Sequence, residues 1–211
     1  MKNKAHTLLL LLVANKELGE PAVGKTVIVK QLYLAELLRP SYRLWSKSFN
    51  YVNYFYGPYS KEVVGHLNVL VFHGLATCTH LSYSEAATKA SFVATPRGCD
   101  LAQTFDQCTF SLCRDLVLGL QALSSTTRAK LVDLVYAEPA FSEVRSDVKS
   151  PMGAHLLSGQ DVKHHSFIIQ RLIEAAQLEC GHSPLPPREL VLRFLKYLSV
   201  CAEGKRITHP K

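Results

Sequence analysis

The residues Gly19 to Thr26, GEPAVGKT, fit the G-x-x-x-x-G-K-[ST] pattern of a phosphate-cradling loop. In a working loop of that kind, backbone N–H groups hold the phosphates, the lysine reaches the β- and γ-phosphates and the hydroxyl holds Mg²⁺. That chemistry needs a buried strand running into the first glycine and an acidic residue ending another apolar strand. Here Ala14-Asn15-Lys16-Glu17-Leu18 precedes Gly19, which is a polar helix end. The one acidic candidate, Asp133 in KLVDLVY, lies inside a helical pattern, and no regular β-α alternation supplies a parallel sheet. The motif therefore reads as a bend: Gly19 caps one helix, Pro21 prevents its continuation, and Gly24-Lys25-Thr26 opens the next. On this reading the chain is no P-loop NTPase, no enzyme, and needs no cofactor.

Other chemistry-bearing residues are sparse. Trp45, Phe49, Tyr51, Tyr54, Phe55, Tyr56 and Tyr59, with Arg43 and Lys47 nearby, have the composition of a base-stacking platform. The same density is also what a half-buried sheet packed on helices requires. His164 and His165 are adjacent, so on a helix they point about 100° apart and cannot chelate one metal ion. The six cysteines form no C-x-x-C pair and sit among apolar neighbours, which favours buried thiols in a reducing cytoplasm over zinc or disulfides. No Ser/His/Asp or Cys/His set can be assigned.

The elements that would position these residues follow from periodicity. With 47% hydrophobic residues in 211, the chain can bury a substantial core. Helices are predicted over Thr7–Leu18 and Val23–Leu38, a short aromatic strand around Phe49, Tyr51 and Tyr54, and a third helix N-capped by Ser60 and closed by Gly74. LATCTHLSYS and ASFVAT then alternate as two strands, joined by SEAATKA as a hairpin with a loop. From Pro96 onward the pattern is helical: Arg97–Leu123, Thr126–Ala137, Asp161–Leu178 and Pro187–Ala202, with Glu138–Gln160 as a loop or lid. The fold class expected is mainly α (α+β): a winged helix-turn-helix-like domain over residues 1–98 with a small β-hairpin wing, and a C-terminal helical extension over 99–211. The lysine-flanked apolar run Leu8–Ala14 lacks a cleavage site and is read as a helix of the fold, and no stretch is long enough to span a membrane. A cytoplasmic location follows.

Three blocks carry a family likeness: GKTVIVKQLYLAELL, then FNYVNYFYGPYSKEVVGHLNVLVFHGLA, and the closing ATPRG. Together they resemble the YwgA-like family of uncharacterised prokaryotic proteins and, more distantly, the SocA-like (Panacea) antitoxin domain. The most specific block is Tyr56-Gly57-Pro58-Tyr59-Ser60, and KLVDLVYAEPAFSEVRSD is similar to the family's V-Y-x-x-x-P region. The resemblance implies a winged-helix-like domain with a helical extension, in the setting of phage defence, mobile elements or toxin–antitoxin regulation. It implies no catalytic residues.

Charge completes the functional expectation. Residues 1–100 hold 11 Lys/Arg against 6 Asp/Glu, while residues 101–211 hold 13 against 11. A basic first half suits a polyanion. The leading expectation is a non-enzymatic regulator that binds double-stranded DNA as a homodimer. Lys61, His66 and Asn68 on the third helix would reach bases, Lys89 and Arg97 would flank the wing, and Lys25, Arg43 and Lys47 would supply phosphate contacts. The competing expectation is a protein-interaction module that grips a toxin or defence-complex subunit through the same face, because Glu62 and a thin cation content weaken base readout.

Overall fold

The computed structural model describes residues 2–42, 44, 49–54, 57–84, 87–125, 127–138, 155–156, 169–175 and 186–208. The described chain is mainly helical with a small three-stranded antiparallel sheet. The elements are α1 (Lys2–Glu17), β1 (Val23–Gly24), α2 (Lys25–Leu38), a 3₁₀ turn (Arg39–Tyr42), β2 (Tyr51–Val52), α3 (Lys61–Phe72), β3 (Ala76–Ser84), β4 (Ala87–Ala94), α4 (Pro96–Ala102), α5 (Gln107–Ala122), α6 (Arg128–Ala137), β5 (His155–Leu156), α7 (169–175) and α8 (Pro187–Thr208).

Apolar periodicity explains which helices are enclosed. In α1, every residue from Leu8 to Ala14 is buried, and in α2 so is every residue from Ile28 to Leu38. A helix apolar on all sides must be packed on all sides. Accordingly α1 contacts α3, α4, α5 and β4, while α2 contacts α5, α6 and β4. Two polar side chains caught between α1 and α2 pair with each other: the Asn15 and Gln31 amides exchange two hydrogen bonds of 3.1 Å. Helix α8 closes the other side against α5 and α6, so one continuous apolar cluster runs from Leu8 to Leu198.

The three-stranded sheet has the order β1-β4-β3. Val23 pairs with Phe92 and Gly24 with Ser91, while Ala76 to Ser84 pairs with Ala94 to Ala87. Strand β1 was not foreseen, because two residues cannot display an alternation. The hairpin also differs from expectation. Ala87, Thr88 and Lys89, expected in the loop, instead continue β4 opposite Ser84, Ser82 and Leu81. SEAATKA contains no Gly, Pro, Asn or Asp to stop a strand, so the ladder runs on.

Two further boundaries change. The single helix expected over Arg97–Leu123 is two, because Asp106 starts a new one: its carboxylate accepts from Thr109 N at 2.8 Å and from Thr109 Oγ1 at 2.6 Å. The aromatic strand shrinks to Tyr51–Val52, which pairs with His155–Leu156 and bridges to Tyr59. These two strand residues, with Glu138, are the described part of the segment expected as a loop or lid; the rest of 138–160 lies outside the described residues. Helices α1 and α8 extend beyond their expected ends, to Lys2 and Thr208. Gly19 takes a left-handed backbone (φ 85°) after α1, as the bend reading of GEPAVGKT requires.

Candidate functional site

The first turn of α2 starts on the sheet. Gly24 is both the last residue of β1 and the N-cap of α2, and it offers no side chain to the helix's first N–H groups. Lys25 is exposed there. Facing this turn are Tyr54 and the stretch 57–59, linked by a hydrogen bond from Gly57 N to Tyr54 O at 2.9 Å. Between them lies a cleft of about 260 Å³ whose walls include Lys25, Thr26, Lys30, Tyr54, Gly57 and Tyr59.

The cleft's floor is fixed by one lysine. Lys30 is only 3% exposed, and its ammonium donates to Pro58 O at 2.6 Å. Gly57 has φ 90°, and a Cβ there would sit 3.0 Å from both Lys30 Nζ and Tyr136 Cε1. Glycine is therefore required twice over, by backbone conformation and by the close approach of the ammonium. Lys25 and Thr26 of the opening motif and Gly57, Pro58 and Tyr59 of the YGPYS block thus line one cleft, although about thirty residues separate them in the chain. Tyr54 and Tyr59 line the wall with ring centroids 5.3 Å apart.

Helix α3 begins where that wall ends. Ser60 Oγ accepts from Val63 N at 3.4 Å, as expected of the cap, and the helix ends before Gly74. Only Val63, Leu67 and Leu70 are buried; Lys61, Gly65, Asn68, Val69 and Phe72 form an outward stripe at spacings of three and four. Phe72 is 86% exposed. His66 does not share that stripe: it is half-buried, with its ring edge-on to Phe49 at 6.1 Å. Glu62 is occupied structurally, accepting from Lys4 Nζ at 2.6 Å and from Asn50 N and Nδ2. Partial burial works to raise its carboxyl, but the bonds from Lys4 and Asn50 outweigh it and hold the group below the usual carboxylate range.

Beneath that contact lies a buried pair: Arg39 donates to Glu36 at 3.1 Å. Burial pushes the Glu36 carboxyl up, opposed by Arg39, by a hydrogen bond from Phe49 N and by Lys4. Tyr51 is wholly enclosed, edge-on to Tyr33 at 5.2 Å, and its hydroxyl has no hydrogen-bond partner among the described residues. Phe49 and Tyr51 are therefore core, while Tyr54 and Tyr59 line the cleft, so the aromatic run divides between packing and surface.

The hairpin is tied to α3 by Thr95, whose hydroxyl donates to Gly74 O at 2.7 Å and also caps α4 at Gly98 N. Arg97 is exposed in the first turn of α4, and Lys89 stands on β4 opposite Leu81. Arg43 and Lys47 lie outside the described residues, as do His164 and His165. Of the expected cations, then, Lys25, Lys61 and Arg97 are exposed.

Among the described cysteines, only Cys113 is fully buried, where burial pushes its thiol up to about 12. Cys108 is exposed, and Cys78, Cys99 and Cys201 are half-buried, so the expectation of uniformly buried thiols is corrected. Their apolar neighbours in sequence alternate between the core and outer faces of each element, which composition alone does not distinguish. No disulfide joins them, and no cluster of His, Cys, Asp or Glu with metal-binding geometry occurs among the described residues. No helix among them is long and apolar enough to cross a membrane.

Sequence reasoning missed Lys30, the cleft and the exposed Phe72. Phe72 falls outside the buried stripe of Val63, Leu67 and Leu70, which was the available signal. Lys30 gave none, since a lysine among apolar residues reads as a surface position. No protein-family model matches the chain, and no curated protein matches it.

Proposed function

We propose that this protein is a winged-helix DNA-binding regulator without catalytic activity, acting as a dimer on duplex DNA in a phage-defence or toxin–antitoxin locus. The observation that carries the reading is the sheet order β1-β4-β3 combined with the element order α1-β1-α2-β2-α3-β3-β4, in which β2 pairs outside that sheet. That arrangement sets an open helix face beside a hairpin, as in winged-helix proteins that lay a helix in the major groove and a wing on the backbone. Lys61 and Asn68 supply the helix contacts, Lys89 and Arg97 flank the wing, and the net charge of +7 favours a polyanion. The resemblance to YwgA-like and SocA-like proteins supplies the genetic setting.

A mobility shift and salt titration with DNA from upstream of its own gene tests this. Retention should weaken with salt, and Lys61→Ala or Arg97→Ala should each reduce the log–log slope by about 0.9. Failure to retain any duplex at low salt overturns it. One observation favours a second reading, in which α3 grips a protein: Phe72 and Val69 are exposed on the same stripe as Lys61, and exposed aromatics recur as anchors of protein contacts. Under that reading the chain retains no duplex, and Phe72→Ala abolishes partner co-purification.

A further inference from the structure

We propose that the cleft lined by the first turn of α2 and by Tyr54, Gly57, Pro58 and Tyr59 binds a nucleoside monophosphate, a phosphate monoester carried on a planar ring. A helix end offers an anion its N–H groups, but here the opposite wall belongs to a different part of the chain and brings its own chemistry. On the floor is Lys30, 3% exposed and held by Pro58 O, with Gly57 so near that a Cβ would stand 3.0 Å from the ammonium. Its ammonium lines the cleft beside Lys25, and two cations on one cleft favour an anion there. At the mouth stands Lys25, with the Thr26 hydroxyl beside it.

These groups suit an oxyanion. The remaining wall suits a ring: Tyr54 and Tyr59 present aromatic surface, and Tyr54 is 47% exposed. Stacking on tyrosine beside a cation tolerates any base. The volume, about 260 Å³, limits the ligand to a single nucleotide. This inference extends the regulator reading by giving it a small-molecule effector, but its test does not require DNA.

Calorimetry of the full chain with AMP, GMP, CMP, UMP and inorganic phosphate, without DNA, is the experiment. At least one monophosphate should saturate the protein with unit stoichiometry, inorganic phosphate should bind at least about tenfold more weakly, and Lys25→Ala should weaken the nucleotide at least about tenfold. Tyr59→Leu should reduce nucleotide affinity while leaving phosphate unchanged. Lys61→Ala, outside the cleft, should leave both unchanged even where it weakens DNA, so failure of the DNA reading and failure of this one are separately visible. A 5′-phosphorylated oligonucleotide that competes where its 5′-hydroxyl counterpart does not would assign the ligand to strand ends and not to free nucleotide. The proposal is overturned if no monophosphate binds at millimolar concentration, if inorganic phosphate binds as tightly as every nucleotide, or if folded Lys25→Ala protein binds like the wild type.

Discussion

Helices α1 and α3 lie against each other yet have opposite fates. Over the turns from Leu8 to Ala14, α1 exposes almost nothing, whereas α3 buries three residues and turns a full stripe outward. Both are rich in apolar residues. What differs is distribution: leucines occupy consecutive positions in α1, while in α3 Lys61, Gly65 and Asn68 interrupt them at helical spacing. One helix is therefore scaffold on every side, and the other is scaffold on one side and available surface on the other.

The largest test of this contrast is truncation. Leu11→Ala on α1 should cost about 2–5 kcal/mol, and Phe72→Ala on α3 no more than about 0.5 kcal/mol, both read from urea unfolding. Equal losses would mean that Phe72 is covered in solution. A second pair uses alanine as an added methyl. At Gly98, just after the hairpin, a Cβ would lie 2.1 Å from Leu75 O, so Gly98→Ala should destabilise by about 1–3 kcal/mol or more. At Gly65, on the open stripe of α3, a Cβ meets nothing within 4 Å, so Gly65→Ala should stabilise by about 0.5–1 kcal/mol.

Acid titration examines the link between the two helices. Glu62, bonded to Lys4 of α1, and Asp106, bonded to Thr109, both titrate below their ordinary values of 4.5 and 3.8. A depressed carboxyl stabilises the fold fully above its unfolded value and ceases to do so as pH falls through the folded one. Glu36 acts with opposite sign: its raised value means that the unfolded chain releases the proton first, so its contribution declines as pH rises above 4.5. The stability difference between wild type and Glu62→Gln should therefore be greatest near neutrality and shrink below pH about 4.5. A difference independent of pH would show that the Lys4 contact is not electrostatic. The smallest effect is expected at Lys25, where Lys25→Ala should leave stability within about half a kcal/mol, because the residue is an exposed helix-end position.

The local signals in the chain determined a good deal. Ser60 and Gly74 bounded α3 because a hydroxyl cap and a left-handed closing residue act within one turn of the backbone. Gly19 and Pro21 decided that GEPAVGKT is a bend, by the same local physics. The alternation in LATCTHLSYS located β3, since a two-residue period reports one buried face. Asp106 and Thr109 also stood in the sequence as a capping pair, but the apolar rhythm on either side concealed the break.

Tertiary structure decided what no local signal encodes. Val23–Gly24 is a strand only because β4 offers it a ladder, and Tyr51–Val52 only because residues 155–156 and Tyr59 reach it. Lys30 is buried where Gly57 and Pro58 lie against its ammonium, and Tyr54 and Tyr59 line a cleft with Lys25 because the first turn of α2 lies across from them. Hydrogen bonds between distant strands and the enclosure of a charge depend on which segments arrive from elsewhere in the chain, and a residue's own neighbours in sequence carry no record of that.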